Sequence, residues 1–178
     1  MIFEPLALPG AFLVHLERIE DERGWNARMW CVRELEEQGL ASQFVQSNAI
    51  HNRCRGTVRG MHYQVAPMAE AKLFGVVRGS IYDVIVDLRE DSRTRGRWAS
   101  IELHGGDDPL LYVPQGFGQG FQTLEDDTDL IYSVTAFHSP EHSRGFRHDD
   151  PAFAIEWPLP VSTISERDRR WPDYGESS

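Results

Sequence analysis

Residues 72 to 88 read Lys72-Leu73-Phe74-Gly75-Val76-Val77-Arg78-Gly79-Ser80-Ile81-Tyr82-Asp83-Val84-Ile85-Val86-Asp87-Leu88. From Ile81 onward the side chains fall into two sets, Ile81, Asp83, Ile85 and Asp87 against Tyr82, Val84, Val86 and Leu88. That period of two is the signature of a β-strand. Residues 72–78 form a second β-rich run, and Arg78-Gly79-Ser80 between the two reads as a tight hairpin turn. Working outward, further strands are expected at 12–17, 44–50, 98–104, 110–113, 120–124 and 130–135. Many short strands separated by turn residues predict an all-β antiparallel barrel or sandwich. One short helix is expected over 32–38, ended by Gly39. A second follows Ser165, with Ser165 as N-cap and Asp168 in the first turns. Loops are expected at 66–70, 105–109 and 139–144, and a frayed end at 175–178.

The 178 residues fit one domain, 1–178, large enough to bury a core without disulfides or metal. Hydrophobic content of 40% and charged content of 26% are those of an ordinary globular chain. The net charge of -10 argues against nucleic acid or an anionic membrane as the main partner, since both need a basic face. An anionic small molecule, held by a few local arginines, remains open. Cys31 and Cys54 have neither metal-ligand spacing nor the density of a disulfide scaffold, which fits free thiols in a reducing cytoplasm. The first twenty residues carry Glu4 and two prolines without a basic leading stretch, so no signal peptide is expected. No run approaches a membrane span.

Lys72 is the sole lysine against seventeen arginines. Lysine offers a compact point charge that can follow one oxygen, where arginine forks across a planar anion. Ten residues upstream, His62 lies in Arg59-Gly60-Met61-His62-Tyr63-Gln64. Residues 60–79, with His62, Gln64, Glu70 and flanking glycines, resemble the first metal-binding motif of the cupin barrel. Glutamine replaces one histidine at Gln64, and Gln119 stands where a later segment would supply another. Glutamine is a poor ligand for a divalent transition metal beside imidazole and carboxylate, so no metal is expected. Proton abstraction beside a carbonyl needs a base, a cation for the developing enolate and, for inversion, an acid on the opposite face. His62 has the pKa range of the base. Lys72 suits the enolate and Tyr132 the acid.

Read together, the motifs resemble the dTDP-4-dehydrorhamnose 3,5-epimerase family over nearly the whole chain. They are Asp21-Glu22-Arg23-Gly24, Phe44-Val45-Gln46-Ser47-Asn48, the run from Arg59 to Gln64, Ala71-Lys72-Leu73, the run from Tyr82 to Arg89, that from Val113 to Phe121, Ala154-Ile155-Glu156-Trp157-Pro158 and Ser165-Glu166-Arg167-Asp168. The resemblance implies a double-stranded β-helix, or jelly roll, with a few short helices. It also implies a homodimer whose subunits contribute to each other's sites, the N-terminal segment making dimer contacts, and no cofactor. By position it makes His62 the base, Asp168 its orienting carboxylate, Lys72 the enolate-stabilising group and Tyr132 the acid. It places Arg23 and Arg59 on the substrate's diphosphate, and Gln46 and Asn48 in the pocket. Arg28 stands where the family usually has a glutamate that helps hold thymine; Gln119 replaces a histidine, Ser47 an aspartate, and Phe137 and His138 a pair of tyrosines.

Alone, His62 would read as a hydrogen-bonded barrel histidine, Tyr132 as a packing residue, and Asp168, Arg23 and Arg59 as ion-pair members. Their common motif context favours a metal-independent 3,5-epimerase of a nucleotide 4-keto-6-deoxyhexose. Arg28, Gln119 and Phe137 keep two alternatives in view: a single-centre epimerase or ketoisomerase of a non-thymidine sugar nucleotide, and a noncatalytic sugar-nucleotide-binding cupin.

Overall fold

The computed structural model describes residues 1–106 and 109–175. In chain order the elements are β1 (Ile2–Pro5), β2 (Phe12–His15), β3 (Arg18–Asp21), β4 (Gly24–Ala27), α1 (Val32–Glu37), β5 (Gln46–Asn52), β6 (Thr57–Gln64), β7 (Lys72–Arg78) and β8 (Ser80–Asp87). They continue as β9 (Trp98–His104), β10 (Pro109–Val113), β11 (Phe117–Thr123), β12 (Thr128–Val134), β13 (Ser143–Gly145), β14 (Thr163–Ile164) and α2 (Glu166–Arg169). One six-stranded sheet runs β1-β2-β10-β7-β12-β5; a second runs β13-β6-β11-β8-β9, with β14 added beside β6. β3 and β4 form a separate two-stranded hairpin. The two large sheets face each other as the jelly roll of the cupin class, all-β with two short helices. Among the described residues, no helix is long and apolar enough to cross a membrane.

Parity along the strands builds three apolar layers. Phe74 of β7, Ile81 and Ile85 of β8, Phe117 and Phe121 of β11 and Leu130 of β12 meet between the sheets. The opposite face of β8, Val84 and Val86, packs with Met61 and the C-terminal Phe146, Phe153 and Ile155. On the other sheet Leu73 and Tyr112 pack outward with Leu35 of α1. β8 is therefore covered on both faces, which is why both residue sets carry buried aliphatics and why Asp83 and Asp87, in the set with Ile81 and Ile85, are enclosed as well. Each fully buried aliphatic side chain contributes about 1.5–3 kcal/mol relative to exposure.

The turn at Arg78-Gly79-Ser80 is not a hairpin. β7 pairs with β10 and β12, whereas β8 pairs with β11 and β9. Gly79, at φ +78°, turns the chain from one sheet into the other, and a Cβ there would lie 2.4 Å from Thr128 Oγ1. The expected runs 72–78 and 98–104 match β7 and β9. Others shift: 44–50 becomes Gln46–Asn52, and 120–124 begins at Phe117. The expected loop at 139–144 ends in β13, paired with β6. β1, β3, β4, β6 and β14 are additional. Both helices form where expected; Ser165 Oγ accepts the Asp168 N–H at 3.0 Å. Residues 107–108 of the expected loop and 176–178 of the expected frayed end lie outside the described residues.

β6 and β11 cross closely beside the polar end of the sandwich. Gly60 sits at φ +131°, and a Cβ there would lie 2.4 Å from Gly120 Cα. Gly60→Ala is expected to destabilise the fold by about 2–5 kcal/mol through combined strain and overpacking. Denaturant unfolding checks it; a midpoint equal to the parent's would show that the strands separate at little cost.

Candidate active site

At one end of the sandwich the inward-facing residues turn from apolar to polar. On β7, Phe74 gives way to Lys72; on β11, Phe121 to Gln119; on β12, Leu130 to Tyr132. With His62 of β6 they line a cavity of about 500 Å³. Arg59, Asp168, Glu70 and Arg167 complete its polar wall.

Asp168 reaches the cavity because β14 lies parallel to β6, Thr163 opposite Thr57 and Ile164 opposite Val58, so that α2 starts beside the strand carrying His62. Its Oδ1 accepts from His62 Nε2 at 2.6 Å, and its Oδ2 accepts the Gly60 N–H at 3.4 Å. Burial alone would push this carboxyl up. The His62 hydrogen bond and charge, with the Gly60 and Ser165 contacts, outweigh it and hold Asp168 below the usual carboxylate range. With a proton on Nε2, the imidazole leaves the Nδ1 lone pair available, and the side chain is 39% exposed toward the cavity.

Lys72 is nearly buried. Its Nζ lies 3.5 Å from the His62 carbonyl oxygen and 3.7 Å from Glu70 Oε1. Gln64 holds that carboxylate: its Nε2 donates to Glu70 Oε2 at 3.1 Å and to the carbonyls of Met68 and Phe137, while its Oε1 accepts the Ser139 N–H at 2.7 Å. Residues that echo a metal motif in sequence thus brace the lysine and the 137–139 segment. Tyr132 stacks on Phe74 with ring centroids 5.8 Å apart. Burial first, then the Glu70 charge, raises its hydroxyl above the ordinary phenol value, against the opposing Arg59 charge.

Of the residues expected from sequence, six line one cavity: Arg59, His62, Lys72, Gln119, Tyr132 and Asp168. Arg59 donates through Nε to Asn52 Oδ1 at 2.7 Å, and Gln119 through Nε2 to Asp83 Oδ2 at 3.0 Å. Gln46 and Asn48 lie on neighbouring β5, opposite Val134 and Tyr132, and bond to each other rather than lining the cavity. Phe137 is 61% exposed and takes part through its carbonyl. Arg23 and Arg28 lie outside this chain's cavity, Arg23 in the β3–β4 turn paired with Asp21 and Arg28 bonded to Glu34 at 2.6 Å. Sequence reading places Glu70 only in a metal-like motif and does not single out Arg167, and both line the cavity; Asp83, fully buried behind Gln119, is not singled out either. For Arg167 the signal was available, because it adjoins Asp168 on a helix whose cap is legible.

The family model described as dTDP-4-dehydrorhamnose 3,5-epimerase matches residues 5–176. A Sinorhizobium fredii protein of that description is 39% identical, covering 99% of this chain and 91% of its own length. The crystal structure of the Bacillus anthracis dTDP-4-dehydrorhamnose 3,5-epimerase, with TDP and PPi bound, superposes at a TM-score of 0.92 with 36% identity, covering 97% and 98% of the two chains. That of a Legionella pneumophila dTDP-6-deoxy-D-glucose-3,5-epimerase in complex with dTDP-4-keto-L-rhamnose gives 0.91 with 29% identity, covering 99% and 94%. Agreement in sequence along nearly the full length, on the same double sheet, places this chain in the dTDP-4-dehydrorhamnose 3,5-epimerase family.

Proposed function

We propose that this chain is an isomerase that epimerises dTDP-4-dehydro-6-deoxyglucose at C3 and C5, the carbons flanking the C4 ketone, towards dTDP-L-rhamnose. The observation that carries the mechanism is the placement of base and acid on opposite sheets. His62 comes from β6, Tyr132 from β12, and Lys72 from β7 beside Tyr132. His62 Nδ1 takes the proton from the carbon next to the ketone while Asp168 balances the imidazolium. Lys72 Nζ holds the oxygen that becomes the enolate, and Tyr132 returns a proton from the other wall, inverting the centre. One enolate-stabilising group serves both carbons in turn, because both flank the same carbonyl. Arg59 receives the diphosphate.

The β3–β4 hairpin and the residues after it expose Ile19, Trp25, Met29 and Trp30. That apolar surface supports a homodimer in which the hairpin meets the partner, bringing Arg23 and Arg28 to the partner's cavity. A monomeric mass in solution would overturn the pairing. Cys31 and Cys54 are both free thiols, which supports work in a reducing cytoplasm.

In heavy water, proton NMR should show deuterium entering C3 and C5 of the dTDP-4-keto sugar with inversion at both. Exchange only with a non-thymidine sugar nucleotide would sink the substrate assignment. Tyr132→Phe is expected to separate the half-reactions: deprotonation by His62 persists, and inverted product falls by about 10²–10⁴. Unchanged product formation would remove Tyr132 from the acid's role.

A further inference from the structure

Among the described residues, four carboxyls are nearly or wholly buried, and three of them are well supplied with donors. Asp87 takes Arg89, Ser92 and Thr94; Asp150 takes the Ala152 and Tyr174 N–H groups; Asp168 takes His62 and Gly60. Asp83, with no exposed surface, has among the described residues only Gln119 Nε2 at 3.0 Å on Oδ2, and its buried Oδ1 has no partner among them. It shares the inner face of β8 with Ile81 and Ile85, and β9 presents Ile101 opposite it. The groups that face it with polarity or charge are Gln119 from β11 and the Lys72 ammonium from β7. A carboxylate with one neutral donor in an apolar wall is far costlier than the neutral acid.

We propose that Asp83 is a positioning residue working as a neutral carboxylic acid, which anchors the Gln119 amide and spares the Lys72 ammonium a second carboxylate besides Glu70, keeping it available to the enolate oxygen. The proposal rests on the epimerase reading above. Gln119 sits opposite His62 in the β6–β11 register. With its Nε2 tied to Asp83, its Oε1 has no hydrogen-bond partner among the described residues, and because Gln119 lines the cavity that oxygen is left as an acceptor for a sugar hydroxyl. Burial pushes the Asp83 carboxyl up to about 8, against the lowering effects of Gln119 and Lys72. The acid therefore keeps its proton at neutral pH and loses it as pH rises through that value. The new anion would then share the ammonium with the enolate and oppose its charge.

The wild type should show a neutral plateau of solvent-deuterium exchange, falling about tenfold per pH unit above the Asp83 titration. Asp83→Asn mimics the neutral acid. It should keep the plateau within about threefold and move the alkaline limb upward, towards the raised Tyr132 hydroxyl. A loss of about 100-fold at neutral pH, or an alkaline limb that does not move, would overturn the proposal by making Asp83 either an ionised partner of Lys72 or a bystander. Carbon NMR of the wild type labelled at aspartate carboxyls decides the protonation state even if the variant fails to fold. One resonance titrating near 8 is expected; all aspartates titrating in the ordinary acidic range would defeat the neutral acid. Absence of exchange in the wild type at every pH strikes the epimerase reading, whereas the carboxyl titration judges Asp83 independently of it.

Discussion

His62→Ala should abolish deuterium incorporation into the nucleotide sugar, lowering kcat/KM on the order of 10²–10⁴. The cavity holds a second imidazole, His138, but among the described residues no carboxylate is bonded to it, whereas His62 has its Nε2 fixed 2.6 Å from the buried Asp168. Asp168→Asn tests the same pair more finely, because it keeps shape and removes charge. A carboxamide can donate to Nε2, which favours the tautomer with its proton on Nδ1, the nitrogen that must be bare to act as base. A loss approaching that of His62→Ala is therefore expected, without loss of the fold. Because the Asp168 pKa is depressed, its contribution to stability is present above the unfolded carboxylate value and disappears as pH falls through the folded one. The pair thus stays intact through mildly acidic conditions. Near-normal exchange in His62→Ala would place the base elsewhere.

The strands that sequence displays best are those packed on the inner core. β7 and β9 have the bounds expected from their β-rich runs. β6 was missed because its inward positions are occupied by Arg59, His62 and Gln64, and because Gly60 interrupts it at positive φ. Polar side chains lining the cavity erase the apolar period there. The turn at Gly79 was misassigned for a different reason: a hairpin and an inter-sheet corner both call for a glycine at positive φ, and local sequence does not say which strand will be the neighbour.

The site divides in the same way. Lys72 stands out by composition and His62 by its motif, but Asp168 lies 106 residues from His62, and only the family resemblance joined them. Asp83 was invisible as a buried acid. In an alternating strand an aspartate marks the solvent face, yet β8 is roofed on both sides, so its aspartate is enclosed with Ile81 and Ile85. Arg23 and Arg28 carry the opposite lesson: their motif is legible, but their own chain leaves them outside the cavity, so the role proposed for them requires a second copy.

Lys72→Arg keeps the charge and should still lower kcat by about 10²–10³, comparable with losing one oxyanion donor, or about 3–4 kcal/mol of transition-state stabilisation. The reason lies in what surrounds the ammonium. Its side chain is 11% exposed, and Nζ is poised between the His62 carbonyl oxygen at 3.5 Å and Glu70 Oε1 at 3.7 Å. Neither contact is short enough to consume the charge, so a developing enolate can compete for it. A guanidinium in that space meets the Glu70 carboxylate with a planar fork, and a bidentate pair is the geometry both groups favour. The cation would then be satisfied in the ground state and unavailable in the transition state. Ground-state binding of the substrate's diphosphate, assigned to Arg59, should be little affected, so the loss is expected in kcat with KM nearly constant. A rise in KM alone would make Lys72 a binding residue, and full activity in Lys72→Arg would return the sole lysine to a structural role.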